Sequence, residues 1–370
     1  MTTPGQCETK PITKDPCCLQ PNRRYSVSGH VQSPGMISRG ARMSTWFKPG
    51  RNWLFAGFGL ILVLLAGTAF GETDKEEDSF LAGHWSVGVK IRRLLDSHTS
   101  YEFGNPFPPY QAPLSRLEFP LDSWWGGLET RASYPRFSLG LEALRSLSSE
   151  ADGRMSDSDW DDGENPGFRT IYSESYCRIE PSYAIRADAD LRVSDWVGLP
   201  STIDLRPVIG FRWQHFRLVT HDGVQYAQGY PPQPLPGDGI QFTQTYRQYF
   251  IGLKTDLDLS EYVPLHRFNL LMQVDWAYVQ GENEDLHLLR EGQRFTLENT
   301  RGQAWHGLLG LKAGLLENLT IGLELDFLWL STTGSHRLLN EPLDMDFTFH
   351  HGVEVWSRQV GLSLALEYVF

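Results

Sequence analysis

Long runs of strict apolar–polar alternation, recurring from residue 84 to the end of this 370-residue chain, constrain its fold more than any other feature. Trp85, Val87, Val89 and Ile91 alternate with Ser86, Gly88, Lys90 and Arg92. Phe268, Leu270, Met272, Val274, Trp276 and Tyr278 form a second series, and Leu319, Ile321, Leu323, Leu325, Phe327 and Trp329 a third. Leu362, Leu364, Leu366, Tyr368 and Phe370 close the chain in the same manner. Period two requires strands with two unlike faces, and runs of this length exceed the usual strand of a soluble sheet. One face is apolar and rimmed by aromatics, while the other accepts Arg, Asp and Glu.

In a soluble sandwich the strands would be shorter, with turn signals roughly every 8 to 12 residues. Here short links at Pro135-Arg136 and Leu316-Glu317-Asn318 alternate with long polar stretches near 151–170, 222–240, 282–300 and 334–346. The pattern predicts an all-β fold, a transmembrane antiparallel up-and-down β-barrel with long extracellular loops, whose closure satisfies every backbone group in lipid. The 299 residues that follow position 71, at about thirty per strand and loop, give ten strands, an even number as such barrels require. A lumen of that size fills with side chains, which argues against free diffusion of solutes.

The composition, 41% hydrophobic and 21% charged, excludes both a disordered chain and a bundle of membrane helices. Only Trp53 to Phe70 is apolar enough to resemble a membrane helix. Lys48 and Arg51 precede it, and Ala66-Gly67-Thr68-Ala69-Phe70-Gly71 follows before charged Glu72, which is the layout of a secretory signal peptide. The expected organisation is therefore a disordered extension or mis-assigned start over 1–42, a signal peptide over 43–71, and the barrel over 72–370. Residues 1–71 hold 8 of the 33 Lys and Arg but 2 of the 45 acids, leaving 25 basic against 43 acidic residues and a formal charge of −18 beyond. So acidic a body is unsuited to nucleic acid, which is bound by neutralising phosphates, and suits cationic partners. Cys7, Cys17 and Cys18 fall in the leader, so Cys177 alone remains and no disulfide framework forms within the exported chain.

Two acidic clusters carry candidate chemistry. In Met155-Ser156-Asp157-Ser158-Asp159-Trp160, an extended backbone puts Asp157 and Asp159 on one side, where two carboxylates share one cavity and one water. A calcium-loop reading of Asp157, Asp159 and Asp161 fails, because glycine comes one position late at Gly163 and Phe168 stands where a bidentate Glu belongs. The second cluster is Glu282-Asn283-Glu284-Asp285-Leu286-His287. Carrying the parity of the preceding strand forward puts Asp285 and His287 on the inner face, where the carboxylate can orient the imidazole as a general base. The parity of Phe137, Leu139 and Leu141 instead puts Asp157 and Asp159 outward, so a bulge or irregular segment has to intervene before them.

Together these segments resemble the omptin family of bacterial outer-membrane endopeptidases, over essentially the whole exported chain. The carrying features are Asp157 and Asp159 with Trp160 and Pro166-Gly167, the Asp285-x-His287 pair about 125 residues later, and the terminal Phe370. The resemblance implies peptide-bond hydrolysis with no covalent intermediate: a water between Asp157, Asp159 and His287, with His287 as base and Asp285 orienting it. It implies no metal or cofactor, peptide or protein substrates, cationic in character, an active site facing outward, a monomer, and a requirement for lipopolysaccharide in the outer membrane. His215, Arg217 and Arg247 lie in strands suited to a lipopolysaccharide contact. Family members that cut between basic residues use an acidic pocket whose wall lies two positions before Asp-x-His, which here is Asn283, flanked by Glu282 and Glu284. A neutral amide there removes a full charge. The second acid of that pocket falls in the first loop near Ser100 to Glu102. The competing readings are a barrel of the same fold without peptidase activity, serving as an adhesin or structural protein, and a small-molecule porin.

Overall fold

The computed structural model describes residues 83–105, 111–263, 265 and 267–370. The expected extension over 1–42 and signal peptide over 43–71 lie outside the described residues. The rest is strand, short turns and two single 3₁₀ turns, and no described helix is long and apolar enough to cross a membrane.

Thirteen strand segments form one antiparallel sheet. The first seven are β1 (His84–Asn105), β2 (Gln111–Pro120), β3 (Trp124–Ser133), β4 (Phe137–Ser146), β5 (Met155–Asp159), β6 (Ile171–Ile179) and β7 (Tyr183–Leu191). The long ones follow as β8 (Ile203–Ala227), β9 (Gln233–Asp258), β10 (Phe268–His287), β11 (Arg294–Leu316), β12 (Leu319–Asn340) and β13 (Met345–Val369). β13 returns to β1, from Ser86 opposite Val369 to Phe103 opposite Val353, and this closes the ring. β2 and β3 both pair with β1, and β6 and β7 both pair with β8, so each couple is one wall broken in the middle. β5 and β4 make the third broken wall, between those two. The ring is thus ten strands around, as the chain length at about thirty residues per strand and loop predicts.

The outer face shows why this is a membrane barrel. Val89, Ile91, Val274, Leu309, Leu325 and Leu364 are all exposed, on neighbouring strands, where a soluble sheet would bury them. Above this band Trp276, Trp305 and Trp329 stand in cross-strand register, with Tyr278 beside Tyr249, as an aromatic girdle at the membrane edge does. A tilted strand crosses the hydrocarbon in about 9–11 residues. β8 to β13 run for 20 to 26 residues, so roughly half of each stands above the girdle.

That height changes the reading of the polar stretches. Residues 222–240, 282–300 and 334–346 are mostly continued strand, with connections of only 228–232, 288–293 and 341–344. Above the lipid both faces of a strand meet polar surroundings, so strict alternation fades while the hydrogen-bonded ladder persists. The stretch at 151–170 keeps a longer connection, 160–170, after the five-residue β5. At the opposite end the links vary, from 317–318 to 192–202.

The lumen is filled with ion pairs. Lys90, 3% exposed, places its Nζ 2.9 Å from Glu129, 2.7 Å from Glu142 and 2.5 Å from Glu324. Arg131 bridges Asp188 and Asp190 at 2.7 and 3.0 Å, and Arg212 holds Asp275 at 2.6 Å beside His306. Over these lies an apolar layer that includes Leu117, Phe119, Met155, Leu218 and Phe242, with the Phe119 and Phe242 rings stacked at 4.4 Å. Removing the cation from a buried acid cluster leaves uncompensated charge, which costs about 3–5 kcal/mol. Lys90→Met is accordingly expected to lower the unfolding free energy in detergent by about that amount, read from urea titration, whereas Arg337→Met, which breaks the exposed pair with Asp346, changes it by less than about 1 kcal/mol.

Candidate active site

Between β4 and β5 the chain leaves the regular ladder over 147–154, where the β-pairing is reduced to single bridges at Glu150 and Asp152. Gly153 takes φ +100°, a value open to glycine and strained for other residues. This irregular segment is the one the parity conflict demands. In β4 the even-numbered Ser138, Leu144 and Ser146 are buried, whereas in β5 Asp157 pairs with Leu117 and Ser173 and Asp159 with Ser115, all three of them inward and buried. Asp157 and Asp159 therefore face the barrel interior.

β10 keeps one parity from Leu271 to His287, with every odd-numbered residue buried. Asn283, Asp285 and His287 are 2%, 1% and 5% exposed. Their rungs across to β11 are Glu298, Thr296 and Arg294. Glu282 and Glu284 sit on the other face and are exposed, so of the expected pocket trio only Asn283 faces inward. Glu282 instead takes two hydrogen bonds from Arg247 on the outer wall, at 2.7 and 3.1 Å. On the first strand Glu102 accepts from Arg116, leaving the neighbouring Tyr101 to face inward.

The two acidic couples meet across one cleft. Arg290, in the link between β10 and β11, brings its Nη2 to 3.9 Å from Asp159 Oδ2, and the charges of Arg290, Arg294 and Asp285 all act on Asp157. The floor is apolar, with Leu117 opposite Asp157 and Phe242 opposite Asp285. Burial first, then the neighbouring Asp159 charge, push the Asp157 carboxyl up to about 7 against the pull of the two arginines. Its Oδ1 is buried with no hydrogen-bond partner, as is Asp285 Oδ1.

His287 Nε2 stands 2.8 Å from Asp285 Oδ2 and 2.8 Å from Arg294 Nη2. One nitrogen cannot donate to the carboxylate and accept from the guanidinium at once, so Asp285 and Arg294 compete for the same ring nitrogen. Nδ1 of the ring has no partner among the described residues. Arg294, Thr296 and Glu298 escape the sequence reading because 282–300 looks like a loop. The signal was present, since Arg294, Thr296 and Glu298 alternate with Phe295 and Leu297 and fall opposite the Asp-x-His strand once a hairpin is drawn.

A carboxyl whose pKa is raised on folding binds a proton that the unfolded chain has released. Between the ordinary value of about 4 and about 7 for folded Asp157, its contribution to stability therefore falls as pH rises. Urea midpoints of the parent should drop from about pH 5 to pH 8 relative to those of Asp157→Asn, which lacks the titration; parallel curves would contradict the assignment.

The model of the Omptin family matches residues 126–314, just over half of the chain. Among solved structures the chain is similar to the outer membrane protease OmpT from Escherichia coli, with 15% identity and a TM-score of 0.68 over 80% of this chain and 99% of that one. The outer membrane protein OprG from Pseudomonas aeruginosa shares 10% identity over 78% of this chain and 96% of its own, at a TM-score of 0.35. A search of curated proteins finds no match. With the family match spanning half of the chain, including Asp157, Asp159 and the Asp-x-His pair, the chain belongs to the omptin family.

Proposed function

We propose that this protein is an outer-membrane endopeptidase that hydrolyses exposed peptide bonds from a cleft open to the cell exterior. The observation that carries the reading is the buried Asp285–His287 pair facing Asp157 and Asp159 across one apolar-floored cleft, above a lumen packed with ion pairs.

A water between Asp157 and His287 is the nucleophile. With the Nε2 proton donated to Asp285, Nδ1 takes the water proton as hydroxide adds to the scissile carbonyl. Asp285 holds the ring and stabilises the imidazolium that forms. Asp157, neutral below about pH 7, donates a hydrogen bond to the developing oxyanion, the role a carboxylic acid fills when its site keeps it protonated. The tetrahedral intermediate then collapses, the C–N bond breaks, and the imidazolium returns its proton to the leaving amine. Asp159, anchored near Arg290, keeps Asp157 protonated through its charge. No residue is acylated and no metal or cofactor is called for.

The lipid partner is an anionic glycolipid such as lipopolysaccharide on the outer wall, the protein acting as a monomer. His215 hydrogen-bonds Thr245 there, and Arg217 and Arg247 pair with Glu180 and Glu282. A barrel of the same fold without peptidase activity, serving as an adhesin or structural protein, draws support from Arg294, whose guanidinium already occupies the imidazole Nε2.

Refolded protein in detergent with lipopolysaccharide should cut members of a mixed peptide library. His287→Ala and Asp157→Ala should each lower kcat by about a hundredfold or more with heat-modifiable migration on gels intact. Because Asp157 acts in its protonated form, kcat of the parent should decline as pH rises through about 7. A folded parent that cuts nothing would establish the non-enzymatic barrel.

A further inference from the structure

Arg294 stands on the last rung of the β10–β11 ladder, opposite His287. Its Nη2 lies 2.8 Å from His287 Nε2, and its Nε is buried with no partner. Lower in the barrel Arg131, Arg206 and Arg212 each meet a carboxylate, at 2.7, 2.6 and 2.6 Å. Among the described residues no carboxylate lies within ion-pair reach of Arg294. Arg290, on the link just before it, has a half-exposed side chain and reaches Asp159 only at 3.9 Å. One hairpin end thus puts two cations into the cleft, and neither is closely paired with an acid.

The contact with His287 constrains the ring's tautomer. A guanidinium only donates, so a nitrogen that accepts from it carries no proton, and the neutral ring then holds its proton on Nδ1. Nδ1 is the atom that has to take the proton from water, and in that tautomer it cannot. With Arg294 withdrawn, Nε2 carries the proton and donates to Asp285, which leaves Nδ1 free. An anion on the guanidinium withdraws it, and a carboxylate matches the planar fork with two parallel hydrogen bonds. We propose that Arg294 anchors a carboxylate subsite, which takes an acidic group of the substrate and in doing so releases His287 to act as base. This rests on the peptidase reading. The carboxylate belongs either to an Asp or Glu side chain near the cut bond or to the peptide's own C-terminus, and Arg290 adds a second positive charge on the same link. The contact that holds the base idle is then undone by the substrate itself.

The test uses matched peptides in which each residue near the cut bond is changed in turn from Gln to Glu, with a second set that ends shortly after that bond as free acid or as amide. At one position the carboxylate should raise kcat/KM over its neutral counterpart by about tenfold or more, chiefly through kcat. A gain from Glu alone names a side chain as the guest, and a gain from the free acid alone names the chain terminus. Arg294→Met should abolish the gain and cut the neutral peptides at least as fast as the parent does, since nothing then holds Nε2. Arg294→Lys, which keeps the charge without the fork, should keep only part of the gain. A parent that cuts the peptides with no preference for a carboxylate, or a folded Arg294→Met that keeps the gain, overturns the subsite while leaving the peptidase reading standing. A parent that cuts none of them removes both. Should Arg294→Met fail to show the folded gel mobility, Arg294→Lys decides alone: a reduced gain supports the subsite, and an undiminished one overturns it.

Discussion

Closure of the backbone ladder through β13 and β1 is the constraint on which everything else depends. Hydrocarbon offers no hydrogen bonds to a strand edge, so the sheet must end where it began. Once closed, a ten-strand ring is too narrow to stay open, and its inward residues have to satisfy one another. Below the girdle they do so as charge pairs around Lys90, Arg131 and Arg212. Above them comes the layer of Leu117, Phe119 and Phe242, and above that the strands continue beyond the lipid. The cleft is therefore floored by apolar side chains and opens at one end only. The same floor that excludes water raises the Asp157 carboxyl and strips Asp285 and Glu298 of solvent.

Polar groups are treated differently on the two sides of that floor. In the lumen the buried acids meet cations, with Glu129 Oε1 and Asp326 Oδ2 each left without a hydrogen-bond partner. In the cleft, oxygen atoms of Asp157, Asp285 and Glu298 and the whole Asn283 amide lack protein partners. What sets the two levels apart is the partner: Lys90, Arg131 and Arg212 hold acids of the lumen, whereas Asp285 and Glu298 are paired with histidines.

Much of this is legible in the residues, where a single physical rule runs unbroken. The parity set by Phe268 to Tyr278 carries through to His287, so the inward placement of Asp285 and His287 follows from alternation alone. For Asp157 the rule gives a conflict that only an irregular segment resolves, and Gly153 with its positive φ lies in that segment. Where alternation fades above the lipid, reading from pattern fails: 282–300 looks like a loop, so the pairing that sets Arg294 against His287 and Glu298 against Asn283 is hidden. Glu282 and Glu284 show the cost of proximity without parity, because they flank Asn283 in sequence and stand on the opposite face. The long-range pairing that closes β5 against β2 is likewise absent from local pattern.

The central claim is that the two couples, Asp157 with Asp159 and Asp285 with His287, act on a single water across one cleft. A double-mutant cycle tests it most directly: single-turnover cleavage rates for the parent, Asp157→Ala, His287→Ala and the double variant. Groups that work as one unit are strongly non-additive, so the double variant should fall no further than the slower single variant. Losses that multiply, with the double variant slower by the product of the two single effects, would show that the couples act independently and would contradict the account.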